Sequence, residues 1–483
     1  MNGQKGWRMR AELNRRTWMK ASGLMAAGAL AAGRSAAAET AQQADAGEVV
    51  FQRKLPVKYD VDVFVAGGGP AGAAAAVAAR SQGAKVFLAE AHTCLGGMGT
   101  AGRVPVFMPL SDGVNFLPGG FGRRVIDRLA KEKALPGPAT DIEALKRVYD
   151  GLVSESGAAF SFYTTLSGVE SQNGHVRYVV CASPSGLFAV QAKIYVDATG
   201  NGDLAAWAGA AFEKGGALGR LMPGTLCSLW SGIDWPTWEA HRPKGPQPDG
   251  AMLEKAFADG VFKVPDRHLT GMHKLGEGLG GGNIGHTFGV DGTDERSLTK
   301  ALVEGRGSMR EYARYYREYL KGFENARLVD TGSLLGIRET RRITGDYTLN
   351  IADYKKRAVF PDEIGRYAYA IDIHPSATDK ASYEQHRKEF DREYRYNKGE
   401  SYGIPYRVLT PQGLDNVLVA GRCVSTDQLV HGSLRVMPGC FITGQAAGMA
   451  AAMSASGGMS VHRLDVKALQ AKLKAFGAYL PNA

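Results

Sequence analysis

Three glycines, Gly67, Gly69 and Gly72, stand in G-x-G-x-x-G spacing between a short apolar run and an alanine-rich stretch. In this spacing the first glycine permits a tight turn and the second lets backbone N–H groups approach a pyrophosphate. The third lets the following helix pack closely on the strand. The pattern therefore predicts a strand, a dinucleotide-binding turn and a helix over Pro70–Gln82.

Two further features support a dinucleotide site. Pro70 and Ala71 would open the helix, whose positive N-terminal end attracts phosphate. A second strand-like run, Lys85–Glu90, ends in an acid 18 residues after the third glycine. A carboxylate at Glu90 can bind ribose hydroxyls. The alternative interpretation is a glycine-rich strand–helix turn that binds no ligand.

Ionisable residues farther along the chain are candidates for binding a substrate and moving its proton. Arg338 belongs to the run GIRETRRI, in which three arginines surround one acid. Such a run could bind an anion or form a buried salt-bridge network, and the network is favoured for Glu339 and Arg342. His374 follows a strand-like run and could be a general base. The alternative is a loop histidine without a catalytic role.

The elements that must position these residues follow from hydrophobic periodicity. Helical spacing covers Gly120–Lys133 and Asp141–Ser156, and then the period changes to two. Strands separated by Asn173-Gly174, a strong hairpin signal, predict an antiparallel excursion. It ends in a strand running into Ala198-Thr199-Gly200, which would bring Thr199 and Gly200 to the ligand crevice.

The middle of the chain loses this alternation, and we interpret it as a substrate domain. It contains a flexible, glycine-rich stretch at Gly276–Gly285 and a tyrosine-rich helix near Ser308–Gly322. A buried strand returns at Leu414–Arg422. The run Gly444–Gly448 is expected to open another alanine-rich helix.

Length, cysteines and charge set limits on the class of protein. A chain of 483 residues favours two or more domains. Its five cysteines contain no C-x-x-C pair, which argues against zinc sites, iron–sulfur clusters and a dense disulfide framework; no metal site is predicted. The formal charge is +10, and residues 1–38, with seven basic residues and one acid, account for +6. We therefore infer no nucleic-acid binding from the charge.

The N-terminus carries its own signal. Arg15 and Arg16 precede Lys20, a weakly apolar run of about a dozen residues, and the small residues Ala36–Ala38. This arrangement is similar to a twin-arginine export signal, which predicts a periplasmic or exported protein. The alternatives are a general secretory signal or an uncleaved anchor. The apolar run is too short to span a bilayer, so no stable membrane span is expected after cleavage.

The motifs together resemble one family. GGGPAG, LGGMGT, VDATGNGD, GIRETRRI, IDIH, IPYRVL, NVLVAGR, LRVMP and GQAAG occur in the order seen in the FAD-dependent oxidoreductase family, which includes many exported bacterial flavoproteins. The resemblance covers residues 60–455 and extends distantly to the fumarate reductase and glutathione reductase flavoprotein folds. The paired histidine and arginine pattern of fumarate reductases is not cleanly reproduced.

The resemblance implies FAD as cofactor and a role for each matching residue. Gly67, Gly69 and Gly72 would hold the pyrophosphate, Glu90 the ribose, and Gly97 and Thr100 would sit by the ribityl chain or flavin. Thr199 and Gly200 would line the cofactor, and Gly421, Gln445 and Ala446 would lie near the flavin ring. The helix at Gly444 would point its N–H groups at the ring. His431 and Arg435 rank first among the catalytic candidates because they lie between two flavin-side motifs.

We therefore predict an α/β fold, a doubly wound FAD-binding domain with an antiparallel β excursion and an inserted α+β substrate domain. The predicted segments are an export signal (1–38), a linker (39–59), the first part of the FAD domain (60–211), the inserted domain (212–411), the return segment (412–460) and a C-terminal helix (461–483).

The predicted function is hydride transfer between a small organic substrate and flavin N5, with electrons passing to a quinone, a cytochrome or oxygen. Nicotinamide is not expected as a partner, because no second G-x-G-x-x-G unit is evident. A dithiol–disulfide flavoenzyme would need a cysteine pair that the chain lacks. Two alternatives stay open, namely a flavin-bearing subunit that needs a partner protein and an electron-transfer module of a periplasmic complex.

Overall fold

The computed structural model describes residues 50–137, 139–216, 219–244, 249–267, 269–381, 383–384 and 395–483. The expected export signal and the first part of the expected linker lie outside these residues. The strands are β1 (Val57–Ala66), β2 (Val86–Ala89), β3 (Ala159–Ser161), β4 (Thr165–Gln172), β5 (His175–Ser183), β6 (Gly186–Asp197), β7 (Phe212–Lys214), β8 (Ser228–Ser231), β9 (Leu269–Gly276), β10 (Leu279–Ile284), β11 (Arg327–Thr331), β12 (Arg341–Ile343), β13 (Glu363–Tyr367), β14 (Tyr402–Pro405) and β15 (Val417–Val419).

The α-helices of the described residues are α1 (Pro70–Ser81), α2 (Phe121–Lys131), α3 (Ile142–Ser156), α4 (Asp203–Trp207), α5 (Trp235–His241), α6 (Gly250–Ala258), α7 (Glu295–Tyr319), α8 (Ile351–Lys356), α9 (Gln428–Leu434), α10 (Met437–Gly457) and α11 (Val466–Phe476). Short 3-10 helices cover Gly97–Gly99, Tyr406–Val408, Gly421–Cys423 and Val461–Arg463.

The main sheet has the strand order β3-β2-β1-β6-β5-β4, and β15 pairs with β6 beyond the end of β5. The pairs β3–β2, β2–β1, β1–β6 and β6–β15 are parallel. Strand β5 pairs antiparallel with both β4 and β6. The apolar side chains in the second half of β1, such as Phe64, are fully buried, as expected for a central parallel strand. The predicted doubly wound α/β fold with an antiparallel excursion is confirmed.

The predicted hairpin is present with the expected turn. Asn173 and Gly174, between β4 and β5, have φ angles of 51° and 79°. Positive φ at both central positions is the mark of a type I′ turn, which matches the twist of a two-stranded ribbon. The strand that follows, β6, runs without a break from Gly186 to Asp197. Its first half pairs with β5 and its second half with β15.

The predicted start of the last long helix is wrong. Helix α10 begins at Met437, with Pro438 in its first turn, so Gly444 and Gly448 lie well inside it. Both glycines pack against α1, because a Cβ at Gly444 would overlap the carbonyl oxygen of Ala71 and one at Gly448 would overlap that of Ala75. The small residues therefore serve close helix–helix contact and do not mark a helix end.

A second hydrophobic cluster lies in the middle of the chain. It joins α7 to the antiparallel sheet β11-β8-β10-β9 and includes the buried Trp230, Tyr315 and Tyr316. The stretch expected to be flexible forms the hairpin of β9 and β10 instead. Gly282 is required there because a Cβ would lie 2.7 Å from Oγ of Ser228.

The largest hydrophobic cluster of the described residues contains the buried side chains of the main sheet. It also includes apolar residues between Ile343 and Leu409. The boundaries of the inserted domain at 212–411 stay a prediction.

Among the described residues, no single helix has the length and hydropathy needed to cross a membrane. Helices α9 and α10 meet that test only as a pair, across a bend of 92°.

Candidate active site

A cavity of about 380 Å³ opens at the carboxyl ends of the parallel strands. One part of its wall comes from the turns after β1, β2, β6 and β15 and from the start of α10. The other part carries ionisable side chains, which are Arg338, Asp372, His374 and Arg435. We call these two parts the cofactor half and the ionic half of the cavity.

The glycine turn after β1 builds the first wall of the cofactor half. Gly67, Gly69, Pro70 and Ala71 line the cavity. The first N–H groups of a helix have no partner within the helix. In α1 no side chain caps them at Gly69, and no acid stands in the first turn. A Cβ at Gly69 would meet no protein atom within 4 Å. This helix end is a ready anion site.

Gly72 does not line the cavity. A Cβ there would overlap the carbonyl oxygen of Gly67, and a Cβ at Gly67 would lie 2.7 Å from the oxygen of Ala198. Gly72 thus holds α1 close against β1, which is the packing role that the sequence assigned to the third glycine.

Glu90 lies at the end of β2 and lines the cavity beside this turn. Its carboxylate accepts hydrogen bonds from the backbone N–H of Gly68, at 2.6 Å, and of His92, at 2.8 Å. These two bonds fix the carboxylate in one orientation. A carboxylate has further acceptor sites, which remain for ribose hydroxyls.

Of the two residues predicted in the next loop, only Gly97 lines the cavity. It has φ of 51°, and a Cβ there would lie 3.3 Å from the Cα of Gly69. Thr100 is buried, and its hydroxyl donates to the carbonyl oxygen of Leu95 at 2.6 Å. Thr100 therefore shapes the loop.

The turn after β6 brings Thr199 and Gly200 to the cavity, as predicted. Asp197 sets the turn, because its carboxylate accepts from the N–H and hydroxyl of Thr199 and from the N–H of Ala205. Burial raises the pKa of Asp197 to about 6, against the opposing effect of these hydrogen bonds.

Gly421 also lines the cavity, with φ of 80°. The predicted positions of Gln445 and Ala446 differ from the observed ones. Both are buried inside α10, and Oε1 of Gln445 accepts from the N–H of Phe121 at 2.9 Å. The helix end at the cavity is formed by Val436 and Met437, again without a side-chain cap.

In the ionic half, Arg338 is 7 % exposed. Its Nη1 donates to the carbonyl oxygen of Pro223 at 2.8 Å and to the hydroxyl of Thr225 at 2.9 Å. Within the described part of the chain, neither Nε nor Nη2 has a hydrogen-bond acceptor. Burial, together with the nearby Arg435, lowers the pKa of Arg338 to about 10, so it is a cation at neutral pH.

Asp372 connects the other members of this half. Its Oδ2 accepts from Nη2 of Arg435 at 2.9 Å, and its Oδ1 lies 3.2 Å from Nε2 of His374. Burial raises the pKa of Asp372, but His374, Arg435 and Arg338 outweigh this effect and hold the pKa well below its ordinary value. Asp372 is therefore ionised.

Behind His374 stands a second histidine that sequence reasoning missed. Nδ1 of His374 lies 2.8 Å from Nε2 of His286, and Nδ1 of His286 lies 3.1 Å from Asp266. With the contact to Asp372, these four side chains form a continuous chain of three polar contacts. A neutral imidazole has one N–H donor and one acceptor nitrogen, so each ring can take a proton on one side and release one on the other.

Burial lowers the pKa of His286, although Asp266 opposes the shift. No sequence signal links the two histidines, which are 88 residues apart. Asp372 did have a signal, since it stands two residues before His374 in the extended run IDIH.

His431, ranked first from the sequence, does not line the cavity. It is buried in α9, and its Nε2–H donates to the carbonyl oxygen of Arg422 at 2.9 Å. Burial and three nearby arginines hold the pKa of His431 well below its ordinary value, so the ring is neutral. Its partner Arg422 ties the two halves together by donating to the carbonyl oxygens of Gly200 and Ile337.

These observations define a dinucleotide-binding α/β flavoprotein architecture. The uncapped N-termini of α1 and α10, the open space at Gly69 and the oriented Glu90 fit a pyrophosphate, a flavin edge and a ribose. The family model "FAD dependent oxidoreductase" matches residues 62–473. The chain belongs to this family, and FAD is its cofactor.

Solved structures with similar folds are distant. A geranylgeranyl bacteriochlorophyll reductase-like protein from Thermoplasma acidophilum is 14% identical, with a TM-score of 0.38, over 86% of this chain and 82% of that one. The p-nitrophenol 4-monooxygenase of Pseudomonas putida is 12% identical, with a TM-score of 0.44, over 86% and 88%. No curated protein sequence matches the chain.

Proposed function

We propose that this protein is an exported oxidoreductase in which hydride passes between a small organic substrate and N5 of FAD. The observation that carries the proposal is the shared cavity, whose cofactor half meets an ionic half able to bind a substrate and move a proton. The two-electron chemistry is supplied by FAD when it is bound. The protein supplies orientation, charge and proton transfer.

In this proposal Gly67, Gly69 and the first turn of α1 hold the pyrophosphate, and Glu90 binds the ribose. The N–H groups at the start of α10 would favour negative charge on a flavin edge bound beside them. Arg422 and Asp197 position the turn at Gly200 and do not react.

The proton of the reaction is assigned to His374. It lines the cavity, and Asp372, whose Oδ1 lies 3.2 Å from its Nε2, lines the cavity beside it. His374 would exchange a proton with the substrate at Nε2 in place of that contact. His286 and Asp266 would hold the proton behind it, which is the arrangement of a base oriented by a further group.

An anaerobic titration tests the proposal. The FAD-loaded protein is titrated with carboxylates, sugars and phenolics while the flavin absorption is followed. Loss of the oxidised flavin band with one class of compound would support an oxidoreductase with its own substrate. A protein whose flavin none of the compounds reduces, and that exchanges electrons only with a partner protein, would favour the electron-transfer subunit instead.

Export is tested separately, because the proposal rests only on the sequence of residues 1–38. A variant with both Arg15→Lys and Arg16→Lys should stay unprocessed in the cytoplasm, whereas the unaltered chain should be recovered as a shortened form outside the inner membrane. Equal processing of both chains would contradict the twin-arginine route.

A further inference from the structure

Arg338 differs from the other buried arginines of this region. Arg342 pairs with Glu339, Arg366 pairs with Glu363 at 2.6 Å, and each partner carboxylate is fully buried. Across the ranges that the structure describes, Arg338 forms no ion pair with a carboxylate. A buried cation without an anion is costly, so the fold retains a charge that its own residues leave uncompensated.

Arg422 is the useful contrast. It is partly buried, lines the same cavity and has no carboxylate partner among the described residues, but its Nε, Nη1 and Nη2 each donate to an oxygen of the protein. Arg338 uses only Nη1, and its remaining donors belong to a side chain that lines the cavity. Each guanidinium nitrogen of Arg422 is thus held by the fold, whereas Nε and Nη2 of Arg338 are open to a ligand.

The charges of the ionic half lead to the same result. Arg435 is paired with Asp372, and Asp266 contacts His286. Both oxygens of Asp372 are engaged, one by Arg435 and one by His374, which limits its repulsion of an incoming anion. Among the described residues, no carboxylate is left in contact with Arg338.

Arg435 adds a second positive group. It also lines the cavity, and its Nη2 is held by the carboxylate of Asp372. The hydroxyl of Thr225 fixes the open guanidinium, because it accepts from Nη1 of Arg338 while donating to the carbonyl oxygen of Gly285 at 2.7 Å. Planar guanidinium groups match the geometry of a carboxylate.

We infer that the substrate of this enzyme carries a carboxylate, which Arg338 binds with support from Arg435. The inference rests on the proposed function, and it names the class of the substrate. Binding at this position would place the remainder of the substrate beside His374 and toward the cofactor half of the same cavity.

Binding to the FAD-loaded protein tests the inference. Benzoate and its neutral amide, benzamide, are titrated separately while the flavin spectrum is recorded, with calorimetry as a second readout. Benzoate should bind and benzamide should bind at least tenfold more weakly. The variant Arg338→Gln should lower the affinity for benzoate by about 10- to 100-fold, the usual contribution of a hydrogen bond to a charged group. Arg338→Lys should recover part of the loss.

Arg407→Gln is the matched control, because Arg407 pairs with Asp362 at the surface away from the cavity. It should bind benzoate as the unaltered protein does. Equal affinity for benzoate and benzamide, or unchanged benzoate binding in Arg338→Gln, would overturn the inference. So would loss of FAD affinity alone in that variant, since Arg338 would then serve the cofactor.

The two proposals fail in different ways. A protein that binds FAD and is reduced only by neutral compounds would keep the proposed function and overturn the carboxylate subsite. A protein that discriminates benzoate from benzamide through Arg338, but whose flavin no substrate reduces, would keep the subsite and overturn the oxidoreductase with its own substrate.

Discussion

The two halves of the cavity are built from different materials. The cofactor half is made of backbone, with glycines at tight turns and two helix N-termini that lack side-chain caps. The ionic half is made of side chains from segments far apart in the chain, among them Arg338, Asp372 and Arg435. A backbone cradle suits a cofactor that every member of a family binds, whereas side chains can change the substrate without changing the fold.

The contrast between the two halves would fail if Arg338 only stabilised the fold, as Arg342 does. Arg342→Gln should lower the free energy of unfolding of the FAD-free protein by about 3–5 kcal/mol, because it leaves the buried Glu339 unpaired. Arg338→Gln should cost far less, since it orphans no carboxylate. Urea denaturation followed by circular dichroism measures both, and similar losses would remove the distinction between the two arginines.

His374→Gln tests whether the ionic half handles the proton. The rate of anaerobic flavin reduction by the substrate should fall about 100-fold, the lower end of what general acid–base catalysis contributes. His286→Gln should lower the rate less and change its pH profile, because His286 acts only through His374. An unchanged rate in His374→Gln would remove this residue from the chemistry.

Gly69→Ala tests whether the open space at Gly69 is the pyrophosphate site. The new Cβ would meet no protein atom within 4 Å and the backbone there is extended, so the thermal midpoint of the FAD-free protein should not change. FAD affinity should fall about tenfold or more, since the Cβ enters the space assigned to the pyrophosphate. Gly72→Ala, whose Cβ would overlap the oxygen of Gly67, should lower both stability and affinity. Normal FAD binding by Gly69→Ala would contradict the assignment.

The smallest effect is expected at His431, outside both halves. Its pKa is held well below 6.5, so the folded protein keeps it neutral while the unfolded chain takes up a proton below that pH. The contribution of His431 to the free energy of unfolding is fully present above pH 6.5. It decreases as the pH falls below 6.5, by at most about 1.4 kcal/mol per pH unit. His431→Gln, which can still donate to Arg422, should reduce this acid sensitivity. An unchanged slope of unfolding free energy against pH would contradict a buried neutral histidine.

The parts that the sequence could predict are local. The strand, turn and helix from β1 to α1, the Asn173-Gly174 hairpin and the cavity position of Gly200 follow from neighbouring residues. The cavity position of Gly97 was implied by the family resemblance. Helix α10 was placed too late because it begins after Val436 without a polar cap, while its glycines resemble a helix end.

The remainder depends on contacts between distant segments. His286 meets His374 across 88 residues, and periodicity carries no signal for such a pair. Thr100 and Gln445 have side chains suited to a cofactor but bind the backbone of Leu95 and Phe121. Only packing decides whether a polar side chain turns toward a ligand or toward its neighbours.

A crystal structure of the protein with FAD and benzoate would test the central claim most directly. We expect the pyrophosphate to lie at Gly67 and Gly69 and the flavin ring beside the start of α10. The benzoate carboxylate should bind Arg338 next to His374. A flavin ring outside this cavity, or benzoate bound away from Arg338, would contradict the division of the site into a cofactor half and an ionic half.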